Sequence, residues 1–315
     1  MEDTSPGSVT ERGGRDCPPV SAWVVIPTYQ GREEILACLA SLHRSDCPPR
    51  RVVVVDNAST DGTADEVVRC HPEVEVLRQG RNLGFGGGCN EGIERALAGG
   101  ADYILLLNQD TRVAPDAIRR LVSFMENRPA AALVGPRTRS LHPLPDGRPR
   151  LLYAGSWRTL LPLRQRVPGI ERPDGEEEGE PRRVDYVWGH AMMLRARALH
   201  QVGPFDPRFF MYFEDLDLCR RMAAAGGEIW CLPGALVWHD AVDGARALHS
   251  EYWRWAHKVD SVYLFHRKYK ARLAAVTLSA LTLLAEVGQL ARQGKWRACG
   301  HLLRAWLGGA FRRRT

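Results

Sequence analysis

Two uninterrupted apolar runs, each closed by acidic or amide residues, constrain this chain more than any other feature. VVVVDNASTDG (52–62) sets four valines before Asp56, and YILLLNQDTRV (103–113) sets a run of Ile and Leu before Asn108-Gln109-Asp110. Continuous apolar runs without alternation are the pattern of parallel strands buried on both faces. A carboxylate just past such a strand stands at the carboxyl edge of the sheet, where open α/β sheets bind ligands. Two such strands delivering acids to one edge suggest a site for a cation or for a polyhydroxylated, nucleotide-like ligand.

The surrounding pattern predicts an α/β fold with a mostly parallel sheet flanked by helices. Strands are expected at 23–27, 52–55, 74–77 and 103–107, and a fifth begins at Leu133. Helices are expected at 32–43, 61–70, 84–97 and 115–127, with Ser59 or Asp61 capping the second and Pro115 in the first turn of the fourth. Repeated strand–helix–strand units with right-handed crossovers give such a sheet. The stretch 137–183 is rich in Pro, Gly and Arg and contains GEEEGE (175–180). It reads as a loop-rich insert with a hairpin near 151–161 and disorder near 170–183. Regular patterning resumes at VDYVWGHAMML (184–194), followed by a helix at 214–225 and a last strand at 228–232.

At 315 residues the chain can bury a full core. Residues 1–20 lack an apolar core segment and read as a disordered leader. Residues 21–245 form the main domain, and 246–315 a basic helical C-terminal extension. The net charge is +6, and from Arg254 onward the only acids are Asp260 and Glu286. That asymmetry suits an anionic membrane surface or equally a solvated helix face. The stretch 273–291 is apolar but broken by Glu286, Gly288 and Gln289. It reads as marginal for a span and better as an interfacial or partner-packing helix. Eight cysteines without CxxC or zinc-ligand spacing read as reduced thiols in a cytoplasmic protein. Tail charge alone is no basis for nucleic-acid binding.

Several residues carry candidate chemistry. Asp56 is placed to accept hydrogen bonds from a ribose or base, with Asp61 as the helix cap. RNLGFGGG (81–88) sets glycines before a helix, where backbone N–H groups can face a phosphate, although it lacks the GxGxxG spacing. Asn82 and Asn90 suit either ligand hydroxyls or turns. Asp110 can hold a hard cation whose remaining ligands come from phosphates and water. In FFMYFEDLDLCRRM (209–222), Glu214, Asp215 and Asp217 crowd a helix start behind an aromatic run. Three acids in four positions exceed what capping requires, and partial burial beside like charge raises a carboxyl's pKa toward that of a general base. His239, in LVWHD, suits a metal ligand or a core histidine.

Taken in order, VVIPTYQGREEILACLASL (24–42), VVVVDNASTDGT, RNLGFGGGCNEGI, YILLLNQDTRV, VWGHAMMLRARALHQVGPFD (187–206), FFMYFEDLDLCRR and VWHD resemble family 2 of the glycosyltransferases, in its bacterial rhamnosyltransferase-like branch. The resemblance covers residues 22–240. It implies a GT-A fold and an inverting transferase that moves a hexose from a nucleotide-diphosphate sugar to a glycan or lipid-linked acceptor in cell-surface polysaccharide synthesis. By similarity, Pro27, Thr28, Tyr29, Asp56, Asn82, Asn108 and Asp110 would line the nucleotide sugar. Asp110 would hold Mg²⁺ or Mn²⁺, with His239 a further ligand. Trp188 and Gly189 would lie near the sugar or acceptor, and Asp215, paired with Glu214, would be the base. The branch suggests rhamnose on dTDP, and the basic, amphipathic tail suits a peripheral position at the inner face of the plasma membrane. Where many members carry Asp-x-Asp, this chain has Asn108, a neutral and weaker oxygen ligand. Two other readings compete. A nucleotide-sugar pyrophosphorylase would need an early basic glycine-rich loop, which WVVIPTYQGREE lacks. A catalytically silent nucleotide-sugar scaffold is disfavoured by the presence of both Asp110 and Glu214-Asp215.

Overall fold

A computed structural model describes residues 17, 20–158, 165–166, 173–174, 179–240, 251–292 and 294–307. The expected leader, apart from Cys17 and Val20, and much of the expected disorder near 170–183 lie outside the described residues.

The amino-terminal half alternates as its sequence predicts. Strands β1 (Ala22–Thr28), β2 (Arg51–Asp56), β3 (Glu75–Arg78) and β4 (Tyr103–Leu107) are joined by helices α1 (Arg32–Leu42), α2 (Thr63–Cys70) and α3 (Gly84–Ala98). They pair in parallel in the order β3-β2-β1-β4. The apolar runs are continuous because both faces are covered. Val25, Val53, Val55, Ile104 and Leu106 pack in one core with Cys89 and Ile93 of α3. Val24, Ile26, Val54, Leu105 and Leu107 pack in a second core with Ile35 and Leu39 of α1. Helix α3 lies very close to β1. A Cβ on Gly92 would stand 2.2 Å from Val25 Cγ1, so only glycine permits this approach.

The remainder of the sheet is mixed. Next in chain order come β5 (Thr111–Val113), α4 (Ala117–Glu126), β6 (Ala131–Ser140), β7 (Leu151–Tyr153), β8 (Trp157–Arg158), β9 (Gln165–Arg166) and β10 (Arg182–Arg183). They are followed by β11 (Ala191–Arg195), α5 (Ala196–Val202), α6 (Glu214–Ala224) and β12 (Glu228–His239). The sheet continues from β4 through β11, β6 and β12 to β10, with β5 also on β12 and β7 on β6. Strand β11 runs antiparallel to β4 and β6, and β12 runs parallel to β6. Helix α6 joins the first core through Leu216, Leu218, Cys219 and Met222, and α4 joins the second through Ile118, Leu121, Val122 and Met125.

Several sequence expectations need correction here. The 137–183 stretch is not wholly loop, because residues 137–140 complete β6 while β7 and β10 add strands to the main sheet. Residues 151–153 pair with β6, and the small two-stranded sheet is β8 with β9. Pro115 precedes the N-cap Asp116 of α4 and lies outside its first turn. The last strand runs on past Leu232 to His239, with a register shift between Leu232 and Leu236.

Three helices follow: α7 (Glu251–Tyr269), α8 (Arg272–Arg292) and α9 (Trp296–Leu307). They share a core of Val259, Val262, Leu283, Leu290 and Leu302. Fully buried Asp217 of α6 ties them to the sheet. Arg221 Nε lies 2.8 Å from its Oδ2, while Lys268 Nζ and Tyr269 OH of α7 lie 2.7 and 2.6 Å from its Oδ1. Among the described residues, α8 is long and apolar enough to cross a membrane by length and composition. It is amphipathic in place, with Ala275, Ser279 and Leu283 buried and Leu273, Leu281 and Leu284 more than half exposed.

Candidate active site

One edge of the sheet collects the chemistry, and strand direction explains why. Thr28 and Asp56 stand side by side at the ends of β1 and β2. Asn108 follows the end of β4. Because β11 is antiparallel, its first residue, Ala191, sits opposite Leu107, which brings Trp188, Gly189 and His190 to the same edge. His239, the last residue of β12, pairs across from Thr111 of β5 and so arrives beside Asp110.

At one side, side chains brace the backbone turns. Gln109 Oε1 accepts hydrogen bonds from Thr28 Oγ1 at 2.6 Å and from the Tyr29 backbone N–H at 2.9 Å. Gln30 has a positive φ of 50° and bridges to the next turn, donating to Thr60 Oγ1 and accepting from the Thr60 and Asp61 N–H groups. Asp56 is buried and accepts from Ser59 N–H with both carboxylate oxygens, so it braces this turn as well as facing the edge. Asp61 accepts from Thr63 N–H, but α2 begins at Thr63 with Gly62, at φ +82°, as its N-cap and no side-chain cap bond, so neither Ser59 nor Asp61 is the cap expected from sequence. Asn57, which sequence reasoning did not single out, donates to Gly84 O and receives Leu83 N–H. Pro27 is buried within β1 opposite Val55, and Tyr29 is partly exposed.

The glycine-rich segment does not form the expected phosphate cradle. It is helical from Gly84, whose N–H is taken by Asn82 Oδ1, and the next N–H, of Phe85, bonds Phe210 O. A Cβ on Gly84, at φ +77°, would lie 2.1 Å from that same Phe210 oxygen. Gly86 packs against Phe205 and Glu214. These glycines bring α3 against the 205–214 segment. Asn90 serves the same contact, exchanging two hydrogen bonds with the Phe205 backbone.

In the middle of the edge, His239 Nε2 lies 3.2 Å from Asp110 Oδ1 and 3.3 Å from Asn108 Nδ2. Asn108 Oδ1 and Asp110 Oδ1 are both buried with no hydrogen-bond partner. Two buried oxygens without donors beside an imidazole nitrogen are costly unless a cation or bound group completes them. The donor set therefore fits a divalent metal. His239 stacks on His190 at 4.7 Å between ring centroids. Burial, with His239 beside it, pushes the His190 pKa well below the usual imidazole value; its Nε2 is 2.7 Å from Thr138 Oγ1. Trp188 packs against both His190 and Tyr153.

The far side holds the paired acids. Tyr212 and Phe213 both have left-handed backbone, at φ 70° and 68°, a strained pair for non-glycine residues. This turn delivers Glu214 and Asp215, both buried, at the start of α6. Asp215 Oδ2 accepts from Tyr186 OH at 2.7 Å and Gly189 N–H at 2.9 Å, and Oδ1 from Leu216 N–H at 2.8 Å. Burial raises the Asp215 pKa, and the three donors oppose that shift. Glu214 is raised well above the ordinary value by burial and by the Asp215 charge, and its Oε2 has no partner. Asp217 does not share this site, since it is committed to Arg221, Lys268 and Tyr269. Tyr186 was missed because nothing local marks it; its partner lies 29 residues away.

A family model described as glycosyl transferase family 2 matches residues 23–203, more than half of the chain. The chain belongs to glycosyltransferase family 2. A second model, glycosyl transferase family group 2, matches residues 180–308. This family 2 glycosyltransferase is 34% identical over 229 residues to the N-acetylglucosaminyl-diphospho-decaprenol L-rhamnosyltransferase of Mycobacterium tuberculosis, covering 69% of this chain and 75% of the relative. It is 24% identical to the rhamnosyltransferase WbbL of Escherichia coli K12, covering 78% and 93% respectively. Among solved structures, GalNAc-T7 with UDP, GalNAc and Mn²⁺ superposes with a TM-score of 0.59 at 16% identity, over 80% of this chain. This chain spans about half (52%) of that protein. The mannosyltransferase PcManGT of Pyrobaculum calidifontis, with GDP-Man and Mn²⁺, gives 0.57 at 16% identity, covering 94% and 88%. The fold is GT-A, with a C-terminal helical extension.

Proposed function

We propose that this transferase is inverting and moves a deoxyhexose such as rhamnose from a nucleotide-diphosphate sugar to a hydroxyl of a glycan or lipid-linked acceptor. The observation that carries the reading is the division of one sheet edge between two unlike acids. Asp110 and Asn108 each offer a buried oxygen without a hydrogen-bond partner, beside the His239 imidazole nitrogen. Asp215 is a buried carboxyl with a raised pKa, positioned by Tyr186 and Gly189.

The turns at Thr28–Tyr29 and Asp56 would take the nucleoside, with Asn82 beside them. Asp110 and His239 would hold Mg²⁺ or Mn²⁺, which neutralises the charge of the departing diphosphate. Asp215 takes the proton of the acceptor hydroxyl as its oxygen attacks the anomeric carbon. The bond from that carbon to the diphosphate oxygen breaks, and its electron pair leaves with the nucleotide. A single in-line displacement inverts the anomeric centre and needs no covalent enzyme intermediate. A base with a pKa moved toward neutrality suits this step. Trp188, partly exposed beside Gly189, would pack on a sugar ring. The mycobacterial relative, which acts on a diphospho-decaprenol acceptor by its name, and the half-exposed apolar face of α8 both support a lipid-linked acceptor met at the inner face of a membrane.

Calorimetric titration with UDP, dTDP and GDP, each with and without Mn²⁺, tests the reading. Metal-dependent binding of one nucleotide is the expected result and names the donor class. Failure of all three to bind would overturn the transferase reading; binding without any turnover would favour a catalytically silent nucleotide-sugar scaffold.

A further inference from the structure

Among the described residues, three side chains away from the catalytic edge bring metal-ligating atoms within 4.8 Å of one another: His43, His71 and Glu73. Their place follows from the topology. Strands β1, β2 and β3 are parallel, so each connecting helix runs back along the sheet and ends at its amino edge, opposite Asp110 and Asp215. His43 is the C-cap of α1 and precedes β2; His71 is the C-cap of α2 and precedes β3. The two helices are in contact, and the two imidazole rings meet at 5.6 Å between centroids.

The second and third members are set by one tight turn. His71-Pro72-Glu73-Val74 is closed by the Val74 N–H on His71 O at 3.0 Å. Proline at the second position of a turn fixes φ there, which holds His71 and Glu73 in a set relation. Glu73 Oε1 lies 3.3 Å from His71 Nδ1 and 3.8 Å from His43 Nε2. A hydrogen bond explains the first distance. The second is too long for one, so pairing with Glu73 leaves the approach of His43 unexplained.

A cation accounts for all three atoms. Tetrahedral zinc bonds of about 2.0–2.1 Å set neighbouring ligand atoms roughly 3.3–3.4 Å apart. The His71–Glu73 separation already has that length, and the His43–Glu73 separation of 3.8 Å is close to it. The His43 side chain is 64% exposed, so it can turn inward without displacing packed neighbours, and solvent can reach a fourth position. The carboxyl ends of two helices direct partial negative charge at the same spot. Arg69, in the last turn of α2, is engaged by Glu66. Two imidazoles with one carboxylate suit a borderline cation such as Zn²⁺, whereas Mg²⁺ and Ca²⁺ prefer oxygen alone.

We propose that His43, His71 and Glu73 bind Zn²⁺, with water in the fourth position, and that the ion clasps the end of α1 to the turn between α2 and β3. The site differs from the Asp110 group in position and in ligand chemistry, and it does not rest on the transferase reading. Because 28 residues separate His43 from His71, the ligand set exists only in the folded chain, and binding stabilises that state.

The test titrates Zn²⁺ by calorimetry into the full chain after metal is stripped with EDTA, and follows the melting temperature. Asp110→Ala is run beside the wild type, so that binding at the carboxyl edge does not contribute. Zn²⁺ is expected to bind to both. At about a hundredfold excess over Kd it is expected to raise the melting temperature of both by about 3–6 °C, and Mg²⁺ at the same concentration is expected to raise it in neither by that amount. His43→Ala/His71→Ala in the Asp110→Ala background is expected to lose at least about tenfold of the affinity together with the melting shift. Glu73→Gln, which keeps the shape at a half-exposed position, is expected to weaken binding several-fold and serves if the double histidine variant does not fold. Affinity and melting shift unchanged in these variants would overturn the proposal. So would Zn²⁺ binding that disappears in Asp110→Ala, or in Cys70→Ser with the histidine variant unaffected, because the ion would then sit at the catalytic edge or on the exposed Cys70 thiol.

Discussion

Asp110 and Asp215 share one sheet edge yet live in opposite surroundings. Asp215 is buried and its oxygens accept three hydrogen bonds from the protein. Asp110 is partly exposed, and its Oδ1 meets an imidazole nitrogen and an empty hydrogen-bonding position. A carboxylate already satisfied by neutral donors can be held in place while it gains and loses a proton. A carboxylate beside other lone-pair ligands awaits a cation. On the proposed reading, the same side chain is given two chemistries by the number of donors the fold supplies.

The comparison can be broken at each end. The largest effect is expected from Asp215→Asn, which keeps the shape and removes the proton acceptor. Turnover should fall by about 10²–10⁴-fold with nucleotide affinity unchanged, and unaltered turnover would remove Asp215 as base. Asp110→Ala should weaken metal-dependent nucleotide binding by at least about tenfold, leaving metal-free binding as it is. Equal affinities with and without Mn²⁺ in both proteins would refute its role.

Subtler changes sharpen the contrast. The Tyr186 hydroxyl favours the ionised form of Asp215. Tyr186→Phe should therefore raise the Asp215 pKa further, move the acidic limb of the pH–rate profile upward, and cost about 2–10-fold in rate below it. A profile that does not move would show that the hydroxyl only packs. Glu214 gives the smallest effect. Its folded pKa lies above the ordinary 4.5, so the native state binds its proton more tightly than the unfolded chain does. Its contribution to stability is present at low pH and is lost as pH rises through the raised value. Glu214→Gln should raise the melting temperature at pH 7 by about 2–4 °C and flatten its pH dependence, whereas a lower melting temperature would mean that the charge is compensated.

The parallel half of the fold was readable because its strands are buried on both faces, which leaves an uninterrupted apolar signature. The mixed half was not. β12 contains Pro233-Gly234, which reads locally as a turn, yet the strand absorbs it in a register shift and carries His239 to the site. Helix α3 was expected over 84–97, but not the use of its glycines, whose smallness serves contact with Phe210 and Glu214. Asp110 and Asp215 were legible because each follows a strong local pattern. Tyr186 and Gln109 were not assigned roles because their partners lie 29 and about 80 residues away, and single-chain periodicity carries no trace of such pairs.

The bond set around Asp217 bears on how this protein can be dissected. Two of its three partners, Lys268 and Tyr269, come from α7. A fragment severed after Asp240 would keep the whole sheet edge and still strand a fully buried carboxylate with Arg221 alone. The pattern boundary near residue 245 is therefore not a cutting point. On the proposed reading, a truncation meant to isolate the enzyme would unsettle the helix that presents its base.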